Sequence, residues 1–184
     1  MTASGGGLRR RDCVIVFVVL LAASTTAFVL TRLFVAGQAR SLLGVHFASI
    51  PATSGQAVAI WLHNARSTLG VAVFAVCRPV CRRLIGEDAL RLDRAIVRFC
   101  DVIVGVWAIG YATAGGVLLG AYGTRQLRAF LPEGPVEIAA WVLLVVLYLD
   151  LRRGRVTLAR AAVRLAGVVG ALGVAAVLEL WAGL

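Results

Sequence analysis

The sequence lacks the short motifs that mark nucleotide binding and nucleophilic catalysis. It contains no glycine-rich phosphate loop, no Gly-x-Ser-x-Gly and no His-Glu-x-x-His. It also lacks a hydrophilic stretch long enough to fold as a soluble domain with its own function. We therefore expect no cofactor and no enzyme of these classes.

Lysine is absent, and all 19 basic residues are arginine, against nine acidic residues. A net charge of +10 could indicate a nucleic-acid partner. The arginines, however, cluster between apolar runs, where they act as topology signals for a membrane protein. The expected partners are therefore membrane lipids and other membrane proteins, and no nucleic acid.

Apolar residues dominate the chain, at 60% of the sequence and a mean hydropathy of +0.91. Soluble domains are only about half apolar. The apolar residues form uncharged runs near the roughly 20 residues that a helix needs to cross the hydrocarbon. Because the runs lack the alternation of barrel strands, they predict an all-α polytopic transmembrane bundle.

Five spanning helices are predicted within a single membrane domain. Their ranges are 13–36, 56–77, 99–122, 135–150 and 161–183. Residues 78–98 are charged with helical apolar spacing, which predicts a cytoplasmic amphipathic loop that forms a short helix on the membrane surface. The first run could also be a cleavable signal peptide, but its length favours an uncleaved span.

The arginines define an orientation. With a cytoplasmic N-terminus, fourteen of the 19 lie on the inner side. The outer half then holds Arg32, Arg40, Arg66, Arg125 and Arg128. Because positive residues accumulate on the cytoplasmic side, the N-terminus is predicted inside and the C-terminus outside.

Small residues at helical spacing predict close helix packing. Gly116 and Gly120 share one face of the third span, and Ala162, Ala166 and Gly170 share one face of the fifth. Such faces let helix backbones approach where water supplies no driving force. They indicate a tight bundle and would also suit a homo-oligomer.

Polar residues at membrane depth form the candidate site, since each costs about 2.5–3.5 kcal/mol at a helix centre unless it has a partner. The candidate cluster, in the outer half, consists of His63, Asn64, Arg66, Glu133, Glu137 and Glu179. We expect Arg66 to pair with Glu137, Glu179 or both. The cluster would be either a pocket for a ligand or for proton transfer, or a structural ion-pair group joining three helices.

The four cysteines, Cys13, Cys77, Cys81 and Cys100, all map to the inner side. Their spacing matches no zinc motif, and both histidines lie on the opposite side. The cytoplasm is reducing, so free thiols are expected and no metal site is predicted.

The second half of the chain, about residues 56–184, resembles the stage II sporulation protein M family of bacterial multi-pass membrane proteins. His63-Asn64-x-Arg66 resembles the start of a family helix. Residues 132–137, Pro-Glu-Gly-Pro-Val-Glu, resemble the family's Pro-His-Gly-x-x-Glu, and Glu179 resembles the glutamate near the end of its last helix. The chain departs from the family at Glu133, at the extra Pro135 and at the charged residues 150–153.

The resemblance implies a non-enzymatic scaffold or accessory subunit in the bacterial cytoplasmic membrane. Such a subunit would serve a peptide exporter, immunity to a secreted peptide such as a bacteriocin, or a cell-wall hydrolase complex. Two other classes stay open from the residues alone. One is a small transporter or permease subunit, and the other is an intramembrane acid–base enzyme that uses His63 with Glu137 or Glu179.

The arginine distribution generates a topology prediction. A reporter enzyme that works only outside the cytoplasm should be active when fused after Leu184, because most arginines lie on the inner side. Activity of a cytoplasmic reporter at the same position would instead require an even number of spans.

Overall fold

The computed structural model describes residues 10–44, 53, 55–66 and 89–182, and this part of the chain is helical with no strand. The elements are α1 (Arg10–Leu30), a π-helical turn (Thr31–Val35), α2 (Ala36–Leu43), α3 (55–66), α4 (Ala89–Tyr122), α5 (Thr124–Phe130), α6 (Gly134–Arg152) and α7 (Leu158–Ala182). The prediction of an all-α helical bundle is confirmed.

Four helices within the described ranges are long and apolar enough to cross a membrane. They cover Arg10–Leu43, Val97–Tyr122, Gly134–Arg152 and Leu158–Leu180. The second predicted span is described only over 56–66, as α3, and residues 67–77 lie outside the described residues. Large apolar side chains such as Leu33 and Phe34 are exposed, which fits a lipid environment.

The second half of the predicted cytoplasmic amphipathic loop at 78–98 is helical, and this helix is continuous with the next span. Residues 89–98 form the first turns of α4 and run directly into the span. No proline or glycine occurs between 89 and 104 to end the helix earlier. Residues 78–88 lie outside the described residues.

Helices α1 and α4 pack along each other through the predicted small face of α4. A Cβ atom at Gly116 would overlap the carbonyl oxygen of Ser24 in α1. A Cβ atom at Gly120 would lie 2.8 Å from the carbonyl oxygen of Phe28. The two glycines therefore allow backbone-to-backbone contact between these helices.

Helix α6 is the centre of the bundle, with buried apolar groups on two sides. One side packs on α1 and α4 in a cluster of Val16, Leu20, Ala108, Val142 and Val146. The other side packs on α7 in a cluster of Ala140, Leu144, Tyr148, Val168 and Leu172. Because this one helix touches three others, it positions the residues at both of its ends.

The predicted small face of α7 does not carry the packing in the described helices. Ala162, Ala166 and Gly170 are exposed, and a Cβ atom at Gly170 would meet open space. The buried residues of α7 are instead Ala161, Val168, Leu172, Ala175, Ala176 and Leu180. Val168 and Leu172 bury more apolar surface in the cluster with α6 than the small row could, which orients this other face of α7 inwards.

One end of the bundle, which we name the arginine-rich end, is joined by ion pairs. Arg153 and Arg155 reach Asp12 of α1 at 2.9 and 3.2 Å. Arg152 pairs with Asp101 of α4 at 2.8 Å, where the Tyr148 hydroxyl also donates to Asp101 at 2.5 Å.

Asp150 lies at the same end and is 4% exposed, and Arg164 of α7 compensates its charge at 3.0 Å. The arginine-rich end therefore gathers the start of α1, the first part of α4, the end of α6 and the start of α7. In this arrangement α1, α4 and α7 run in one direction and α6 runs in the opposite direction. The chain reverses between α6 and α7 at Gly154, whose φ of +65° favours glycine.

The close contact at Gly116 generates a stability prediction. Gly116→Ala should lower the midpoint of thermal unfolding in detergent, because the new methyl group forces α1 and α4 apart at a cost of about 1–3 kcal/mol. The matched control is Gly115→Ala, where a Cβ atom meets nothing within 4 Å. Equal midpoints for the two variants would contradict the packing of α1 on α4.

Candidate functional site

Glu137 lies at the centre of the candidate site, in the first turn of α6. The preceding Pro135 is in the first turn too, where its missing N–H costs nothing. The Asn64 amide of α3 donates to Glu137 Oε1 at 2.7 Å, and the Tyr111 hydroxyl of α4 donates to Oε2. Both oxygens of this carboxyl group are therefore held, and three helices meet at it.

Aromatic residues support this arrangement. The Tyr111 ring stacks on Trp141 of α6, with ring centroids 4.8 Å apart and an interplanar angle of 27°. Trp61 of α3 donates its indole N–H to the Val169 carbonyl oxygen of α7 at 3.0 Å. These contacts fix the Tyr111 hydroxyl and attach α3 to α7, so they position the donors to Glu137.

Glu133 immediately precedes α6 and differs from Glu137 in its surroundings. Its side chain is buried, at 8% exposed, and its Oε2 atom has no hydrogen-bond partner among the described residues. Burial, opposed in part by a backbone hydrogen bond and reinforced by Glu179 and Glu137, raises the pKa of the Glu133 carboxyl from 4.5 to about 7. Near neutral pH this group therefore changes readily between its neutral and charged forms.

These residues line an open cavity of about 440 Å³, which we name the glutamate pocket. Its lining consists of Ala59, Ile60, His63, Asn64, Glu133, Glu137 and Glu179. The walls come from α3, from the residue that precedes α6, from α6 itself and from α7. Five of the six residues predicted as a polar cluster, all except Arg66, are therefore brought together in one pocket.

Arg66 does not belong to the pocket, which corrects the expectation that it pairs with Glu137 or Glu179. Its side chain is exposed, does not line the cavity and forms no ion pair with a carboxylate of the described residues. Arg66 follows Asn64 by two positions, which places the two side chains on opposite faces of a helix. Asn64 faces Glu137, so Arg66 points elsewhere.

Tyr111 is the main residue of the site that the sequence did not identify. It lies in the middle of an apolar span, and its half-buried hydroxyl has to find a partner there. A tyrosine at that depth indicates a nearby hydrogen-bond acceptor, because its hydroxyl group is costly to bury in hydrocarbon without one. The partner itself is not readable from spacing, since Tyr111 and Glu137 belong to separate helices.

A metal centre is not part of this site as described. The described residues contain no group of three or more His, Cys, Asp or Glu side chains placed to hold a metal ion. Cys13 and Cys100 are not joined in a disulfide bond, while Cys77 and Cys81 lie outside the described residues.

Comparisons of the chain with known protein families, with curated proteins and with solved structures find no match. A role for the glutamate pocket therefore has to come from its geometry. The pocket combines a firmly held carboxyl group, a buried carboxyl group with an oxygen that lacks a partner among the described residues, and a third carboxyl group from α7. Such a site favours a positively charged group.

The raised pKa of Glu133 generates a pH prediction. In the unfolded chain this carboxyl group ionises near 4.5, whereas in the folded protein it keeps its proton to about pH 7. The folded state therefore gains stability below pH 4.5 that is lost as the pH rises to about 7. Thermal unfolding midpoints in detergent should fall over this range.

Glu133→Gln should flatten that fall, because glutamine does not titrate. The control Asp12→Asn removes a carboxylate at the arginine-rich end and should leave the fall between pH 4.5 and 7 in place. A parent protein whose midpoint rises over this pH range, or a Glu133→Gln variant that behaves like the parent, would contradict the assignment.

Proposed function

We propose that the chain is a non-enzymatic subunit of a membrane complex and that it holds a partner through the glutamate pocket. The observation that carries this proposal is the Glu133 oxygen, which is buried at the wall of an open cavity and has no partner among the described residues. A buried polar atom without a partner costs free energy, and an incoming donor would recover it. The resemblance to the stage II sporulation protein M family favours the same role.

The distribution of polar groups supports binding from one side of the membrane. Between the glutamate pocket and the arginine-rich end, α6 and α7 are joined by Leu144, Val168 and Leu172, each at most 3% exposed. This apolar layer separates the polar groups at the two ends of the described helices. A transporter would need polar groups or water along its path, so the layer favours a receptor over a permease.

The arrangement around Glu137 also speaks for binding instead of acid–base catalysis. A carboxylate that accepts hydrogen bonds from protein donors is a weaker general base, because those bonds stabilise its charged form. Both Glu137 oxygens already accept hydrogen bonds, one from Asn64 and one from Tyr111. The carboxyl group is thus held as a structural and electrostatic element of the pocket.

We infer the setting from the arginine distribution and the resemblance together. The arginine-rich end would face the cytoplasm of a bacterium, and the glutamate pocket would open on the outer side of the cytoplasmic membrane. The partner would be another membrane protein, such as a peptide exporter or a component of a cell-wall hydrolase complex. Anionic lipid headgroups would surround the exposed arginines at the inner side.

A site-specific photo-crosslinking experiment tests the partner. A photoreactive phenylalanine analogue at Ala59, on the pocket wall, should give a discrete adduct with a second membrane protein in native membranes. The control places the same analogue at Val163, which is 75% exposed on α7 and lies outside the pocket lining, and should give lipid adducts only.

The adduct at residue 59 should weaken when Glu133→Gln is added, because the partner would lose the charge it recognises. Lipid adducts alone at both positions would contradict the proposed function. A protein adduct that does not depend on Glu133 would show that the partner binds elsewhere.

A further inference from the structure

The geometry points to an alkylammonium group as the occupant of the glutamate pocket, an inference that rests on the proposed binding role of this pocket. The first step is charge. Three carboxyl groups line the cavity, the basic residue of its lining is His63, and Arg66 does not line it. Carboxylates gathered in a partly buried site repel one another until a proton or a cation neutralises part of their charge.

The second step is the number of acceptors that are still available. Glu137 already accepts two hydrogen bonds within the protein, whereas Glu133 lines the cavity and its buried Oε2 has no partner among the described residues. Glu179 faces the same cavity from α7. A guanidinium group prefers both oxygens of one carboxylate in a planar pair of hydrogen bonds. An ammonium group carries three donors that can reach single oxygens of separate carboxylates, which fits this site better.

The third step is size and the character of the wall. A cavity of about 440 Å³ is far larger than a bare divalent ion requires, and the described residues do not form a metal-ligand group. Part of the wall is apolar, formed by Ala59 and Ile60 of α3. A chain of methylene groups would lie on this wall while its charged end reached Glu133, as the lysine side chain does at apolar surfaces.

An alkylammonium group has two sources with the same chemistry. It could belong to a polypeptide, as a lysine side chain of the partner, or to a small free amine from the aqueous phase. Both would place the same charged end against Glu133 and Glu179. The experiment below uses one probe for the chemistry and a second arm for the source.

The test uses the full chain in detergent micelles, with n-butylammonium as the probe and calorimetric titration as the measurement. We expect saturable binding of n-butylammonium and no saturable binding of 1-butanol, which has the same chain without the charge. Glu133→Gln should weaken binding about 10- to 100-fold, the range expected for a charge-assisted hydrogen bond. Glu179→Gln provides a second variant if Glu133→Gln does not fold, and it should weaken binding too.

The pH dependence of n-butylammonium affinity distinguishes a binding role of Glu133 from a purely structural one. Because burial raises the pKa of Glu133 to about 7, its proton must leave when the ammonium group binds. Affinity should therefore rise from about pH 6 to about pH 8 in the parent, and less in Glu133→Gln. Among the described residues, the other titratable groups near Glu133 are Glu137, Glu179, His63 and Tyr111, and they are unchanged in this comparison.

The competition arm identifies the source. If n-butylammonium suppresses the protein adduct at residue 59, the ammonium group comes from the partner polypeptide. If n-butylammonium binds but no protein adduct forms, the source is a free amine, and the proposed partner role fails while this inference stands.

Three results would overturn the inference. They are equal binding of n-butylammonium and 1-butanol, binding that neither glutamate variant weakens, and tighter binding of guanidinium or Mg²⁺ than of n-butylammonium. A Glu133-dependent protein adduct that n-butylammonium neither displaces nor competes with would preserve the proposed function and reject the alkylammonium assignment.

Discussion

The carboxyl group of Glu137 is the interaction on which the rest of the pocket depends. It accepts hydrogen bonds from Asn64 and Tyr111, so a single side chain of α6 joins α3 and α4. In a low-dielectric bundle a carboxyl group without donors would be expensive, and donors without an acceptor would be expensive too. Each partner therefore holds the others in place, and the remaining wall of the pocket follows from the position of α6.

The two ends of the bundle differ in how they meet the cost of burying carboxyl groups. At the arginine-rich end the described aspartates pair with arginines, and even the buried Asp150 has Arg164 at 3.0 Å. The described residues that line the glutamate pocket include no arginine, and Glu133 keeps a buried oxygen without a partner among the described residues. The ligand that we propose would supply a partner at this second end.

The helices themselves were predictable, because lipid forces every backbone group in an apolar run to pair within its own helix. The grouping of Asn64, Glu137 and Glu179 also followed from their shared membrane depth, whereas Glu133 is indicated only by the family-like element at 132–137. Membrane depth does not predict how each helix is rotated about its axis, and so it does not predict which side chains face the pocket. Asn64 faces the pocket and Arg66 does not, and Gly116 packs on α1 while Gly170 is exposed. The rotation of each helix depends on which large apolar side chains meet across the helix interfaces. The pairing of Tyr111 with Glu137 depends on the same contacts.

A double-mutant cycle between Tyr111→Phe and Glu137→Met measures the central interaction most directly, using reversible unfolding in mixed micelles. Each single change leaves a donor or an acceptor without its partner, so the double variant should lose less stability than the sum of the two. The expected coupling is about 0.6–1.7 kcal/mol, the range found for hydrogen bonds inside membranes. The control pair, Tyr148→Phe with Glu137→Met, joins opposite ends of the bundle and should be additive. Additive losses for Tyr111 and Glu137 as well would contradict the account.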